Sequence, residues 1–178
     1  MLATLAIPRC RTASAHQLSN RTYLFEGILL HCDSVGSVQE IRPGAVNWMT
    51  AGRGIVHSER TPDDELGKEA ILHGMQTWIA LPDEYEETEP WFRHHPASEL
   101  PAWEEAEISS TLIAGEAYGR TSPVQTFSTM IYLDAQLIYG TKFTLQLQRT
   151  GCLQRYRGAC DRWSAFRTTS VGSYKFRH

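Results

Sequence analysis

Between Thr22 and Leu81 the chain repeats one pattern, a short run of strand-forming residues closed by a turn. Thr22-Tyr23-Leu24-Phe25 opens it and continues past Gly27 into Ile28-Leu29-Leu30-His31. Asp33-Ser34-Val35-Gly36 has turn chemistry, Val38–Ile41 is a short strand, and Pro43-Gly44 turns the chain again. Val46-Asn47-Trp48-Met49 follows, then Gly52-Arg53-Gly54, which feeds Ile55-Val56-His57-Ser58-Glu59. After the acidic loop of Asp63, Asp64 and Glu65, Ala70–Leu81 reads as one long bent strand or a strand pair. Short strands joined by tight turns at close spacing build an antiparallel sandwich or barrel. No apolar stripe with a 3.6-residue period runs through this region, which excludes a helical bundle.

Further along the pattern changes. Pro82 to Glu107 is acidic and rich in Pro and Trp, and reads as a long ordered connector lying across the first barrel. Ile108–Ala114 and Met130–Ala135 resume strand character, Leu137–Leu147 alternates weakly, and no period follows Gln148. The whole chain, 178 residues with 42% hydrophobic content and a net charge of −3, is neither disordered nor suited to coating nucleic acid. Its apolar runs are too short for a transmembrane helix, so no membrane partner is expected.

Those averages conceal two switches. Residues 22–146 hold 19 acids against 7 Lys and Arg, whereas the two ends together hold 10 basic residues against Asp161 alone. Cys10, Cys152 and Cys160 lie in the ends as well. The expected organisation is therefore an irregular segment at 1–21, a barrel with its connector at 22–107, the start of a second barrel at 108–146, and an irregular tail at 147–178. Four cysteines without a CxxC pair suggest free thiols in a reducing cytoplasm.

The chemistry is concentrated at His57 and Glu59. One residue separates them on a strand, so both side chains point to the same face. An imidazole and a carboxylate converging inside a barrel supply two of the ligands that a non-haem iron needs. Glu59 is also the candidate catalytic base. His16 and His73 are the candidates for further ligands: His73 as an inward ligand or a packed core histidine, His16 in a stretch with no structural frame. His31 reads as a hydrogen-bonded histidine at a strand end, and the pair His94–His95 as solvated. No dinucleotide fingerprint, phosphate loop or nucleophile elbow is present.

Thr22-Tyr23-Leu24-Phe25-Glu26-Gly27, His31-Cys32-Asp33-Ser34-Val35-Gly36-Ser37 and Ile41-Arg42-Pro43-Gly44 resemble the pirin family. The resemblance is most specific over Val46-Asn47-Trp48-Met49-Thr50-Ala51-Gly52-Arg53-Gly54-Ile55-Val56-His57-Ser58-Glu59. It continues through Leu72–Pro82, Tyr118-Gly119, Ser122-Pro123-Val124 and Tyr132–Ala135. It implies an all-β bicupin, two antiparallel β-barrels of which the first holds one Fe(II), with a second barrel that is incomplete here. It also implies four ligands, a His-x-His before the first matching strand and a His-x-Glu that His57 and Glu59 match. Relatives of this kind cleave flavonols such as quercetin with dioxygen, in the manner of a quercetin 2,3-dioxygenase, while others act as redox-sensitive protein partners of transcription factors.

Counted back from Gly27, the His-x-His of the family falls on Ala13-Ser14-Ala15. His16 comes one position late, which on an extended strand turns it to the opposite face. The tail after about Leu147 also lacks the strands expected to close a second barrel, and both departures coincide with the composition switches, as a change of coding frame near residue 21 and again near residue 147 would produce. The expectation is a quercetinase-type barrel with an impaired metal site, the rival readings being a non-enzymatic redox-sensing binding protein and an inactive remnant.

Overall fold

The computed structural model describes residues 11–67, 71–105, 108–137, 144–148, 162–168 and 171–175, the last three segments as backbone. It divides into two units, Met1–Ser98 and Glu99–His178.

Among the described residues the first unit holds eight strands: β1 (Arg11–Ala15), β2 (Leu18–Glu26), β3 (Leu29–Asp33), β4 (Val38–Ile41), β5 (Val46–Thr50), β6 (Ile55–Arg60), β7 (His73–Ala80) and β8 (Trp91–His95). They form two four-stranded sheets, ordered β1-β6-β3-β4 and β7-β2-β5-β8, in which every pairing is antiparallel. Two apolar clusters bind the sheets face to face. Ala15, Met49, Ala51 and Ile55 pack together with Leu18 and Phe92. Leu24, Leu29, Ile41 and Ala45 form the other cluster, with Leu72 against it. Each cluster draws on strands of both sheets, and each fully buried aliphatic side chain contributes about 1.5–3 kcal/mol.

Turn chemistry sets the strand ends. Gly27, at φ +88°, separates β2 from β3, so the apolar run across it becomes two strands. Gly52 lies at φ +50°, and a β-carbon there would overlap the Thr88 carbonyl. Its own carbonyl accepts the Gln17 N–H at 2.7 Å, while the Arg53 N–H donates to Thr88 at 3.0 Å. The turn into β6 is thereby tied to the turn between β1 and β2, which aligns these strands.

In the second unit β9 (Ala102–Glu105), β10 (Ile108–Ala117), β11 (Arg120–Thr121), β12 (Met130–Leu137) and β14 (Arg162–Thr168) form one sheet, ordered β11-β10-β12-β14 with β9 also on β10. β13 (Thr144–Gln148) pairs separately with β15 (Val171–Lys175). Leu112, Ile113, Tyr132 and Leu133 are buried, and Ile108, Ala135 and Leu137 cluster. Among the described residues this unit thus has five strands in one sheet and two in another, fewer than the four and four of the first unit, an incomplete barrel.

The structure corrects three boundaries. Residues 11–21, expected to be irregular, form β1 and the start of β2. Strand pairing uses backbone groups that every non-proline residue owns, and Ala13, Ser14 and Ala15 are small enough to lie against β6. The supposed connector contributes β8 to the first sheet pair and β9 to the second unit, because Trp91 and Phe92 suit a half-buried strand. The tail likewise supplies β14 and β15, with Trp163, Phe166 and Thr168 among its strand formers. Cys10, Cys152 and Cys160 lie outside the described residues. Among those described, no helix is long and apolar enough to cross a membrane.

Candidate functional site

β6 lies between β1 and β3, and the register fixes what faces His57 and Glu59. Across β1, Ala13 is opposite His57, Arg11 opposite Glu59, and Ala15 opposite Ile55. Across β3, Asp33 is opposite His57 and His31 opposite Glu59. Directly opposed residues share a face of the sheet, so all these positions belong to the inner face.

The facing sheet holds the Glu59 carboxylate. The Thr22 hydroxyl on β2 donates to Oε1 at 3.0 Å, and the Gln76 amide on β7 donates to Oε2 at 2.6 Å. Thr22 and Gln76 are themselves paired in register. Both carboxylate oxygens therefore have a donor from across the interior, which orients the group.

His57 is only 7% exposed, and its Nδ1 has no hydrogen-bond partner. Burial holds its pKa below the ordinary histidine value; the His31 ring pushes the same way, while Glu59 and Asp33 oppose less strongly. The neutral imidazole is thus favoured. Its ring stacks on His31 at 5.8 Å, and His31 stacks on Phe92 of β8 at 4.3 Å. His31 Nε2 is bonded to Asp33 Oδ2 at 3.0 Å, so the histidine is hydrogen-bonded as expected, but it stands in the middle of β3 and not at a strand end. Asp33 Oδ1 accepts the N–H groups of Val35 and Ser37. Burial alone would raise the Asp33 pKa, but the Ser37 and His31 hydrogen bonds outweigh it and hold the carboxyl below its ordinary value.

The other histidines lie elsewhere. His16 is exposed between β1 and β2, outside either strand. His73 opens β7, three residues before Gln76 and so on the opposite face; its ring packs on Phe25 at 5.0 Å. The pair expected to be solvated is built into β8, where His95 is buried and His94 Nδ1 is 2.7 Å from Asn47 Oδ1. Sequence reasoning missed Thr22, Gln76, Asn47, Asp33 and Phe92. Strand alternation narrows the choice without settling it: Thr22 shares its parity on β2 with the polar Asn20 and Glu26.

A metal of the kind the pirin resemblance implies needs more donors than this interior presents. His57 and Glu59 share the inner face, but β1 places Ala13 opposite His57 and Ala15 opposite Ile55, and His31 is engaged by Asp33. Among the described residues no group of three or more His, Cys, Asp or Glu is arranged to hold a metal ion. The orphaned Nδ1 of His57 would suit an added electrophile; the donor set as a whole does not fit a four-ligand centre.

Comparison with known proteins places this arrangement. Residues 10–79 match the Pirin family model. A pirin-like protein of Caulobacter vibrioides is 48% identical over 131 residues, which is 72% of this chain and 44% of that protein. The crystal structure of a quercetin 2,3-dioxygenase from Acinetobacter baumannii superposes with a TM-score of 0.73 at 30% identity, covering 92% of this chain and 56% of that one. The fold is shared also with a bacterial pirin, YhhW of Escherichia coli, solved in complex with nickel(II), at 18% identity, a TM-score of 0.59, and coverage of 93% and 69%. The chain spans about half the length of the first two. The two facing sheets and the Trp48–Glu59 block are therefore those of a pirin: the chain carries a pirin-family domain of the cupin fold.

Proposed function

We propose that this chain carries the first barrel of a quercetin 2,3-dioxygenase-type pirin in which half of the metal site is missing, so that Fe(II) binds weakly and flavonol cleavage by dioxygen is impaired. One observation carries this reading: β1 stands in register against β6, yet places Ala13 directly opposite His57. The strand is there and its donors are not. The geometry supports positioning work by the residues that remain. Thr22 and Gln76 hold the Glu59 carboxylate, orienting it as a base for a substrate hydroxyl.

A change of coding frame ahead of Thr22 accounts for this combination, since it alters side chains without altering the number of residues. Translating the other two frames upstream of Thr22 will then show a His-x-His; a gene with none in any frame refutes that origin.

Oxygen uptake with quercetin tests the activity. The chain supplied with Fe(II) is expected to consume oxygen no faster than free Fe(II), whereas turnover at the rate of a complete dioxygenase overturns the reading. A non-enzymatic binding role is the second reading, and the unpartnered polar atoms inside the barrel favour it.

A further inference from the structure

β7 is an edge strand. Among the described residues it pairs with β2 alone, so along its other side alternate N–H and C=O groups point outward with no strand to meet them. Natural sheets blunt such edges with short strands, prolines and charged side chains. The other edges of the first unit follow that rule: β1 carries Arg11, β4 is four residues long and carries Glu40, and β8 carries Arg93 and stops before Pro96. β7 does not. Its eight residues, His73-Gly74-Met75-Gln76-Thr77-Trp78-Ile79-Ala80, include no proline and no Lys, Arg, Asp or Glu. Trp78 shares the parity of Gln76, which bonds Glu59 across the interior, and so belongs to the inner face; it is nevertheless 62% exposed. The facing sheet ends short of it, and a large indole is left uncovered beside an open edge.

We propose that this edge is a self-association surface, to which β7 of a second copy of the chain adds antiparallel about a two-fold axis through Thr77. An axis perpendicular to the sheet makes the contact isologous and keeps inner-face residues opposite inner-face residues. It sets Thr77 against Thr77 of the other copy, Gln76 against Trp78, Met75 against Ile79, and Gly74 against Ala80. Apolar side chains thus meet on the outer face, and small residues meet at the ends. The two Trp78 indoles become diagonal neighbours, about 7–8 Å apart by backbone and within reach of each other. An identical strand is the occupant this edge fits: without charge on it, nothing repels a like strand and nothing selects a charged partner. Backbone hydrogen bonds and a few side chains make a contact smaller than that of a permanent dimer, so the association is reversible.

This inference stands apart from the dioxygenase reading, which metal content and oxygen uptake decide. Sedimentation equilibrium of the full chain over a range of concentrations is expected to show a mass that rises from one chain to two and no further. Hydrogen exchange of the amides from Gly74 to Ala80 is expected to slow as the dimer forms. Trp78→Lys, at an exposed position, brings like charges together across the axis and is expected to weaken dimerisation at least about tenfold, with the denaturation midpoint of the monomer unchanged. Trp78→Glu is expected to do the same, and an equimolar mixture of the two variants to recover the dimer. Should these fail to fold, Ala80→Lys, also exposed, reads the same loss. Trp103→Ala, in the second unit, is expected to change nothing. A chain that is monomeric at every concentration would overturn the proposal and mean that water satisfies this edge. Growth past two copies, association indifferent to Trp78→Lys, or a mixture of the Trp78 variants that stays monomeric would overturn it too, since another surface then holds the copies together.

Discussion

The two neighbours of β6 make the same backbone and opposite chemistry. On one side β3 sets His31 and Asp33 against Glu59 and His57, bonded to each other and stacked into the interior. On the other, β1 pairs over five residues in unbroken register and sets Ala13 against His57 and Ala15 against Ile55. Register is dictated by backbone hydrogen bonds and by which small or apolar side chains fit the inner face; it is indifferent to whether those side chains can ligate. A fold can therefore outlast its site, and the asymmetry about β6 is the place to test that.

The largest effect expected is on metal affinity. Ala13→His together with Ala15→His doubles the donors on the inner face and is expected to raise Fe(II) affinity by about 100-fold or more, read by competition with a chelator. An unchanged affinity would mean that β1 does not stand where the register puts it. Ala15 packs with Met49, Ala51 and Ile55, so the same change is expected to cost about 1–3 kcal/mol in stability from overpacking.

The apolar ends of the interior come next. Met49→Ala is expected to lower unfolding free energy by about 2–5 kcal/mol in denaturant titration, since Met49 is 2% exposed and joins the sheets. A loss below 0.5 kcal/mol, well under the range for buried side chains, would show that the sheets do not close there. On the β3 side, Asp33→Asn removes a charged acceptor from the N–H groups of Val35 and Ser37 and from His31, with an expected cost of about 1.5–3 kcal/mol. A comparable change on the β1 side, Ser14→Ala at an exposed position, is expected to stay within about 0.5 kcal/mol; equal losses on both sides would erase the contrast.

The pH dependence gives the smallest effect. His57 has a lowered pKa in the folded chain, so below the ordinary value of 6.5 the unfolded chain takes up the proton first and stability falls as acid is added. Asp33, also lowered, adds a further loss as pH drops below 3.8. His57→Gln should flatten the first decline and leave the second, measured as denaturation midpoint against pH.

Much of this was legible in the sequence. Period-two alternation and glycine turns marked β4, β5 and β6 nearly to the residue, and the one-residue spacing of His57 and Glu59 gave their common face. β1 was not legible, because its identity lies in cross-strand pairing, and Arg11 to Ala15 carry no apolar alternation to announce it. β8 was masked by its acidic, proline-bearing flanks. Thr22 and Gln76 escaped notice for another reason: their role depends on a contact between strands 54 residues apart, which no local pattern encodes. His73 misled because strand position alone does not give facing; only the pairing of Gln76 with Thr22 settles the parity of β7.

The account rests on β1 being present as a strand and absent as a ligand source. Metal analysis of the purified chain after exhaustive dialysis against metal-free buffer tests this most directly. Well under one equivalent of any divalent transition metal per chain is predicted for the natural sequence, and close to one for the Ala13→His, Ala15→His double variant. One tightly held equivalent in the natural chain would contradict it.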